Sequence, residues 1–349
     1  MNTSPANPAP ENLPPIQTLA FLPAAKVLTT GIIGCIAIMA AILFFGPYSN
    51  DIQLPEDRGH MWYLWQLAEP TFWTRLTAWG GYAAHQLTIW TLIYLAKSQP
   101  RRYVSGLHPI NIAALTANVA FVGLHIVQTR IWYDGLAQDT HILTSMGSVA
   151  IMLIFIIMME NQRRGLVMGK RAPFLTEVGT FLRKYHGYYF SWAIIYTFWY
   201  HPIEITLGHL LGTLYTLLLL LQGSLFFTRT HTNRWWTLFL EIFVIIHGCL
   251  VALVTNADNQ GPEVAARFLF GFLVIFVATQ MYGVNFKTWH RWAFFAALII
   301  SMVAFYQGRW EIIGDIMRIP LIEYLSIFVF ALLIWLIFLL PGKLLRRAT

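Results

Sequence analysis

The sequence predicts an all-α integral membrane protein with about ten transmembrane helices. Of its 349 residues, 57% are apolar and only 11% are charged, whereas a soluble domain of this length needs a much more charged surface. The chain also contains ten apolar segments of spanning length, since about 20 residues cross roughly 30 Å of hydrocarbon. Finally, lysines and arginines are concentrated in every second connection, which is typical of membrane topology.

The ten segments divide the chain into a short tail and one polytopic membrane domain. The predicted spans cover residues 26–46, 76–97, 109–129, 141–160, 186–202, 203–226, 235–255, 264–284, 289–307 and 320–341. The fifth is short, and "PFLTEVGTFLRK" before it is interpreted as an interfacial helix that extends into it. Residues 1–25 are proline-rich and lack the basic start of a signal peptide, which predicts a disordered cytoplasmic tail. The membrane domain then covers residues 26–341.

The basic residues also predict orientation and partners. Lysine and arginine near span ends are retained on the cytoplasmic side, so both termini are predicted to face the cytoplasm of a bacterial inner membrane. Anionic lipid at that surface accounts for the net charge of +7. The lipid bilayer is therefore the predicted partner, and nucleic acid is not.

Histidines occur in two similarly spaced sets. His85, His108 and His125 are separated by 23 and 17 residues, and the second set has separations of 22 and 16. That second set consists of His209, His231 and His247. The similarity predicts two related four-helix units, residues 26–160 and 186–284, followed by two appended spans in residues 289–341. Chance spacing is the alternative interpretation.

Four intramembrane histidines have a similar predicted depth. At about 1.5 Å per residue they lie roughly 5 to 15 Å below the outer surface, and they are His85, His125, His209 and His247. One such histidine often only bonds a neighbouring helix, whereas four at one depth favour an ion, a cofactor or a proton path. Weaker candidates near the outer ends of the spans are His141, His201 and Glu204.

Glycines accompany these histidines. Gly80 and Gly81 precede His85, and "VGLH", "LGH" and "HG" contain the other three histidines. A glycine leaves a bare helix face that a flat ligand can approach, although glycines also let membrane helices pack closely. The combination resembles membrane b-type cytochromes, in which histidines of a four-helix core ligate haem. The resemblance implies that the four histidines bind haem b or iron for electron transfer, with a quinol or a membrane redox complex as partner.

Two other functions stay open at this point. Three imidazoles and an acid can hold zinc in a metal-dependent enzyme that acts on lipid, but the sequence lacks HxxxH and HxxHH pairs. A transporter, or a non-catalytic subunit of a membrane complex, is the third hypothesis, because many spans with an internal duplication are typical of transporters. Within the seventh span, Glu241 is interpreted either as part of a proton path or as a protonated, hydrogen-bonded carboxyl.

Overall fold

The computed structural model describes residues 19–46, 52–59, 62–98, 102–255, 261–341 and 344. These residues form ten long helices and one short two-stranded sheet. The helices are α1 (Ala24–Phe45), α2 (Phe72–Lys97), α3 (Pro109–Trp132), α4 (Ile142–Arg164), α5 (Leu175–Tyr200), α6 (Leu207–Ser224), α7 (Arg234–Thr255), α8 (Gly261–Gly283), α9 (Thr288–Phe305) and α10 (Ile313–Leu339). The strands β1 (Leu19–Pro23) and β2 (Gly106–Leu107) pair antiparallel.

Eight of these helices, namely α1, α3, α4 and α6 to α10, are long and apolar enough to cross a membrane. The helices α2 and α5 are also long, but their side chains are more polar. His85 and Gln86 lie within α2, and the first half of α5 carries charged residues such as Glu177 and Lys184. The chain is therefore an integral membrane protein with eight candidate spans in its described part, and the predicted count of about ten is not confirmed.

The predicted segments and the helices follow the same order. The segment interpreted as an interfacial helix is the first part of α5, which runs without interruption to Tyr200. Helix α10 begins at Ile313, ahead of the predicted span, because Pro320 lies inside the helix instead of at its start. Residues 1–18 of the predicted tail lie outside the described residues, and residues 19–23 form β1.

The second half of α5 lies at the centre of the bundle. Helix α5 packs against α2, α4 and α6, and Ile195, Trp199 and Tyr200 in its second half are fully buried. Lipid is as apolar as these side chains, so close packing and hydrogen bonds hold membrane helices together. A Cβ at Gly179 would lie 2.8 Å from the carbonyl oxygen of Met158, so this glycine permits the close contact between α4 and α5.

The remaining helices surround this centre. Helix α1 packs mainly against α6, and α7, α8 and α10 form a second group that packs against α4. Helix α9 packs against α8. Because α1 packs against α6, and α4 against α5, the two predicted four-helix units are not separately packed bodies. Their relation by an internal repeat stays a prediction.

The two ends of the bundle differ chemically. The histidine end contains the end of α5 and the start of α6, with His201 and His209. The arginine end contains the ends of α4 and α8 and the start of α7, with Arg163 and Arg164. The distribution of basic residues predicts that the arginine end faces the cytoplasm.

Candidate functional site at the histidine end

A tyrosine hydroxyl joins two histidines at the histidine end. The Tyr63 hydroxyl lies 2.7 Å from Nε2 of His209 and 2.8 Å from Nδ1 of His201. His201 directly follows α5 and His209 lies in the first turn of α6, so the short connection between these helices brings the two rings together. Their centroids are 5.7 Å apart. Tyr63, His201 and His209 are called the Tyr63 site below.

The start of α6 fixes the second nitrogen of His209. Thr206 is the N-cap of α6, and its hydroxyl accepts a hydrogen bond from the backbone N–H of His209 at 3.4 Å. This satisfies one of the backbone donors that a helix start leaves unpaired. The same hydroxyl lies 2.7 Å from Nδ1 of His209. Both ring nitrogens of His209 therefore have protein partners.

Helix α3 and the residues that follow it bond the connection between α5 and α6, which contains His201. Nε2 of His125 donates to the carbonyl oxygen of His201 at 2.9 Å. The hydroxyl of Tyr133, directly after α3, donates to Oε1 of Glu204, and the backbone N–H of Ile203 donates to Thr129 at 3.2 Å. These bonds hold the connection between α5 and α6 in one position.

His85 lies in a separate buried environment next to α5. Its Nε2 is 2.8 Å from Oδ1 of Asn118, and the indole N–H of Trp199 donates to its Nδ1 at 3.2 Å. The ring stacks on Phe121 with a centroid separation of 4.5 Å. His125 contacts the same indole, with centroids 4.3 Å apart. Trp199 thus separates His85 from His125.

The other predicted candidates are placed differently. His247 on α7 packs over Gly212 of α6, where an added Cβ would lie 3.0 Å from its Cε1. Its Nδ1 is buried and has no hydrogen-bond partner within the described part of the chain. His141 is the N-cap of α4 and accepts a bond from the N–H of Leu143 at 3.2 Å. The predicted histidines are thus neighbours, but they do not point at one common centre.

The described contacts offer no prepared ligand set for a metal ion or a haem. Among the described residues, no group of three or more His, Cys, Asp or Glu side chains is arranged to hold a metal ion. The ring nitrogens of His85, His125 and His209 already face protein atoms at hydrogen-bond distances. Haem, iron or zinc as the cofactor therefore stays a prediction that these contacts do not support.

The glycines beside His85 do not open a slot for a porphyrin either. A Cβ at Gly81 would lie 2.2 Å from the Trp199 ring, so the space at this glycine is filled by the indole. Gly80 is exposed and an added Cβ would meet nothing within 4 Å. Close helix packing, the alternative interpretation of these glycines, explains Gly81.

The groups of the Tyr63 site are held in their neutral forms. Burial raises the pKa of Tyr63 well above its ordinary value, and the nearby Tyr133, Tyr200 and Glu204 raise it further. Burial lowers the pKa of His201 well below its ordinary value, and neighbouring imidazoles lower it further. At neutral pH the site therefore contains a phenol and a neutral imidazole, each of which can donate one hydrogen bond and accept another.

The sequence analysis missed Tyr63, Thr206, Asn118 and Trp199. Tyr63 belongs to a tryptophan-rich connection that predicts an interfacial segment, and nothing in that composition distinguishes a buried hydroxyl from an interface anchor. Asn118 could have been identified from the sequence, because an asparagine inside a span needs a hydrogen-bond partner on another helix. The indole of Trp199 carries no such signal, since tryptophan also occurs where it only fills space.

Comparisons with known proteins found no matching family model, no similar curated protein and no similar solved structure. The fold and the site define the class of the protein as a polytopic α-helical integral membrane protein with a buried polar cluster at one end.

Proposed function

We propose that this protein is a membrane transporter that carries protons, and that protons enter or leave the helix bundle at the Tyr63 site. The observation that supports this is the Tyr63 hydroxyl within hydrogen-bond distance of both His201 and His209. Chains of histidines and other polar groups within a membrane are typical of proton paths in pumps and transporters.

The shared hydroxyl allows a proton to pass without a persistent charge. A neutral imidazole has one donor and one acceptor nitrogen, and a hydroxyl has one proton to donate. When Nδ1 of His201 gives its proton to the oxygen of Tyr63, the hydroxyl gives its own proton to Nε2 of His209. His209 can then release its Nδ1 proton towards the hydroxyl of Thr206, which lies 2.7 Å away. The Thr206 hydroxyl passes its own proton on to water, and His201 takes up a proton at Nε2. Each of the four groups then has the number of protons with which it began.

Helix irregularities favour transport over an enzyme fixed at one surface. Helix α8 contains a π-helical turn at Phe276–Gln280, and α10 contains both Pro320 and a π-helical turn at Trp335–Leu339. Such turns occur frequently at functional sites, and interrupted helices are a feature of transporters. If the arginine end faces the cytoplasm, the Tyr63 site faces the opposite side and exchanges protons there.

Proton flux into liposomes tests the proposal. The full chain is reconstituted with an entrapped pH-sensitive dye, and a potassium gradient with valinomycin imposes a membrane potential. We expect a proton flux above that of protein-free liposomes. Tyr63→Phe keeps the ring but removes the shared hydroxyl, so we expect it to lower this flux at least roughly tenfold. Tyr94→Phe makes the same chemical change on the exposed face of α2, where the side chain is 65% exposed, and should leave the flux unchanged.

Two results would contradict the proposal. One is a wild-type flux equal to that of protein-free liposomes, and the other is an unchanged flux in Tyr63→Phe. Absorbance of the protein purified from haem-replete cells tests the electron-transfer hypothesis in parallel. A Soret band that His209→Ala abolishes would favour haem binding instead.

A further inference from the structure

A small cavity lies between α4, α7, α8 and α10, away from the Tyr63 site. Its volume is about 40 Å³, which accommodates about three water molecules at about 10–15 Å³ each. Most of its lining is apolar, but Glu241, Gln280 and Glu323 also line it. These three polar side chains can supply the hydrogen-bond partners that ordered water needs in a cavity of this size.

Glu323 is the unexplained group in this cavity. It lies on α10, ten residues after Ile313, which corresponds to roughly 15 Å along the helix. The residue is only 9% exposed, and its Oε1 is buried with no hydrogen-bond partner in the described part of the chain. A buried polar atom without a protein partner indicates that something else bonds it.

The arginines near the cavity are already matched by other acids. The guanidinium of Arg164 donates to both carboxylate oxygens of Glu241, with one contact at 2.8 Å, and also to Gln280. Arg163 pairs with Glu160, which also lies 3.8 Å from Arg164. The two arginines and the two glutamates balance each other. Within the described part of the chain, no ion pair joins Glu323 to a positive charge, and an unpaired carboxylate is costly inside a membrane.

We propose that Glu323 binds a proton and that water in this cavity connects its carboxyl to Glu241. The protonated carboxyl of Glu323 donates to a water molecule, and the water donates to an oxygen of Glu241. When Glu323 releases its proton to the water, the water gives one of its own protons to Glu241. The water is restored, Glu323 becomes a carboxylate and Glu241 becomes neutral. The titratable groups that line the cavity are these two carboxyls alone among the described residues.

The local backbone supports a water-filled connection towards the arginine end. Phe276 and Gln280 begin and end the π-helical turn of α8, and both line the cavity. Gln280 also bonds Arg164, so it links the cavity to the end of α4. This proton site is distinct from the Tyr63 site, and the inference does not depend on the function proposed for that site.

Infrared difference spectroscopy of the full chain in liposomes tests the assignment. In the spectrum of wild type minus Glu323→Gln at neutral pH, we expect the C=O band of a protonated carboxyl, shifted to lower frequency in D₂O. The matched difference for Glu241→Gln should instead contain carboxylate bands, because Glu241 is ion-paired with Arg164. Carboxylate bands in the Glu323→Gln difference, with no protonated C=O band, would overturn the proposal.

A hydrophobic carbodiimide provides a second test. The O–H of a protonated carboxyl adds across one C=N bond of the reagent, and mass spectrometry locates the adduct. We expect dicyclohexylcarbodiimide to label Glu323 at a rate several-fold above that of Glu241. Equal labelling of the two, or faster labelling of Glu241, would overturn the proposal. Because neither readout measures flux, the assignment can fail while the proposed function holds, and the reverse is also true.

Discussion

The hydroxyl of Tyr63 lies 2.7 Å from Nε2 of His209, although 146 positions separate the two residues in the chain. The Tyr63 ring also packs against Tyr200 and His201, with centroid separations of 5.4 and 5.1 Å. One side chain thus attaches the connection before α2 to the end of α5 and the start of α6. Since nearby groups are largely buried, these contacts stabilise the connection as well as the site.

Tyr63→Phe should lower the stability of the protein. The substitution leaves nitrogens of both His201 and His209 without the hydroxyl partner they have in the wild type. Leaving buried polar groups unpaired costs about 1–3 kcal/mol in the free energy of unfolding. Denaturant unfolding in detergent micelles, followed by circular dichroism, measures this loss. Tyr94→Phe is the matched control and should change the free energy of unfolding little, so equal effects of the two variants would contradict the prediction.

The sequence predicts the helices of the fold better than the side-chain contacts of the site. Apolar segments of spanning length predict helices well, because backbone groups in hydrocarbon must bond within their own helix. The partners of a histidine are not predicted in this way. His85 bonds Asn118, 33 positions away, and Trp199, 114 positions away. Which nitrogen meets which partner depends on helix rotation, and a single sequence does not specify that rotation.

Gly81 and Gly80 provide a matched test of close packing beside His85. A Cβ at Gly81 would lie 2.2 Å from the ring of the fully buried Trp199, so Gly81→Ala forces the indole or α2 to move. Overpacking of this kind costs about 1–3 kcal/mol in the free energy of unfolding. Gly80→Ala meets nothing within 4 Å, and alanine is the better helix former. We expect thermal unfolding in detergent to show a lower midpoint for Gly81→Ala and no decrease for Gly80→Ala.

A lower unfolding midpoint for Gly80→Ala than for Gly81→Ala would show that the space beside Gly81 is open. It would also restore the interpretation that this glycine makes room for a ligand. In the structure the Trp199 indole fills this space. The glycines that precede His85 in the sequence do not indicate this.

Glu241→Gln should destabilise the protein strongly. The side chains of Arg164 and Glu241 are only 4% and 11% exposed, and removing one partner of a buried ion pair costs about 3–5 kcal/mol. Glu263→Gln is the control, because Glu263 pairs with Arg267 in a more exposed position, at 28% and 33% exposure. Denaturant unfolding in micelles should show a much larger decrease in the free energy of unfolding for Glu241→Gln than for Glu263→Gln. Similar losses for the two variants would contradict a buried pair.

The Arg164 pair also corrects the interpretation of Glu241 as a protonated carboxyl. The fourth predicted span ends at residue 160, so the sequence predicts that Arg164 lies in the connection that follows, at the membrane surface. In the structure Arg164 is the last residue of α4, is buried and reaches Glu241 of α7. Charge and position in the chain predict an anchor at the interface. The structure shows instead that the guanidinium bonds the carboxylate of Glu241 on α7 and the side chain of Gln280 on α8.

Asp134, in the connection after α3, should make stability depend on pH. Burial raises the pKa of this carboxyl to about 6, although the backbone N–H of Gly135 donates to it at 2.8 Å and acts in the opposite direction. The acid form is therefore favoured by folding, because an unfolded Asp has a pKa of about 3.9. This contribution to stability is complete below the unfolded pKa and is lost as pH rises through about 6.

Thermal unfolding at about pH 5 and about pH 8 measures this contribution. We expect the midpoint of the wild type to fall more between these values than the midpoint of Asp134→Asn, which no longer titrates there. Other titrating groups contribute equally to both proteins, so the difference between the two pH dependences isolates Asp134. Asp57→Asn, which alters an exposed carboxyl, should behave like the wild type. If Asp134→Asn has the same pH dependence as the wild type, the carboxyl of Asp134 is ionised in the folded protein at both pH values.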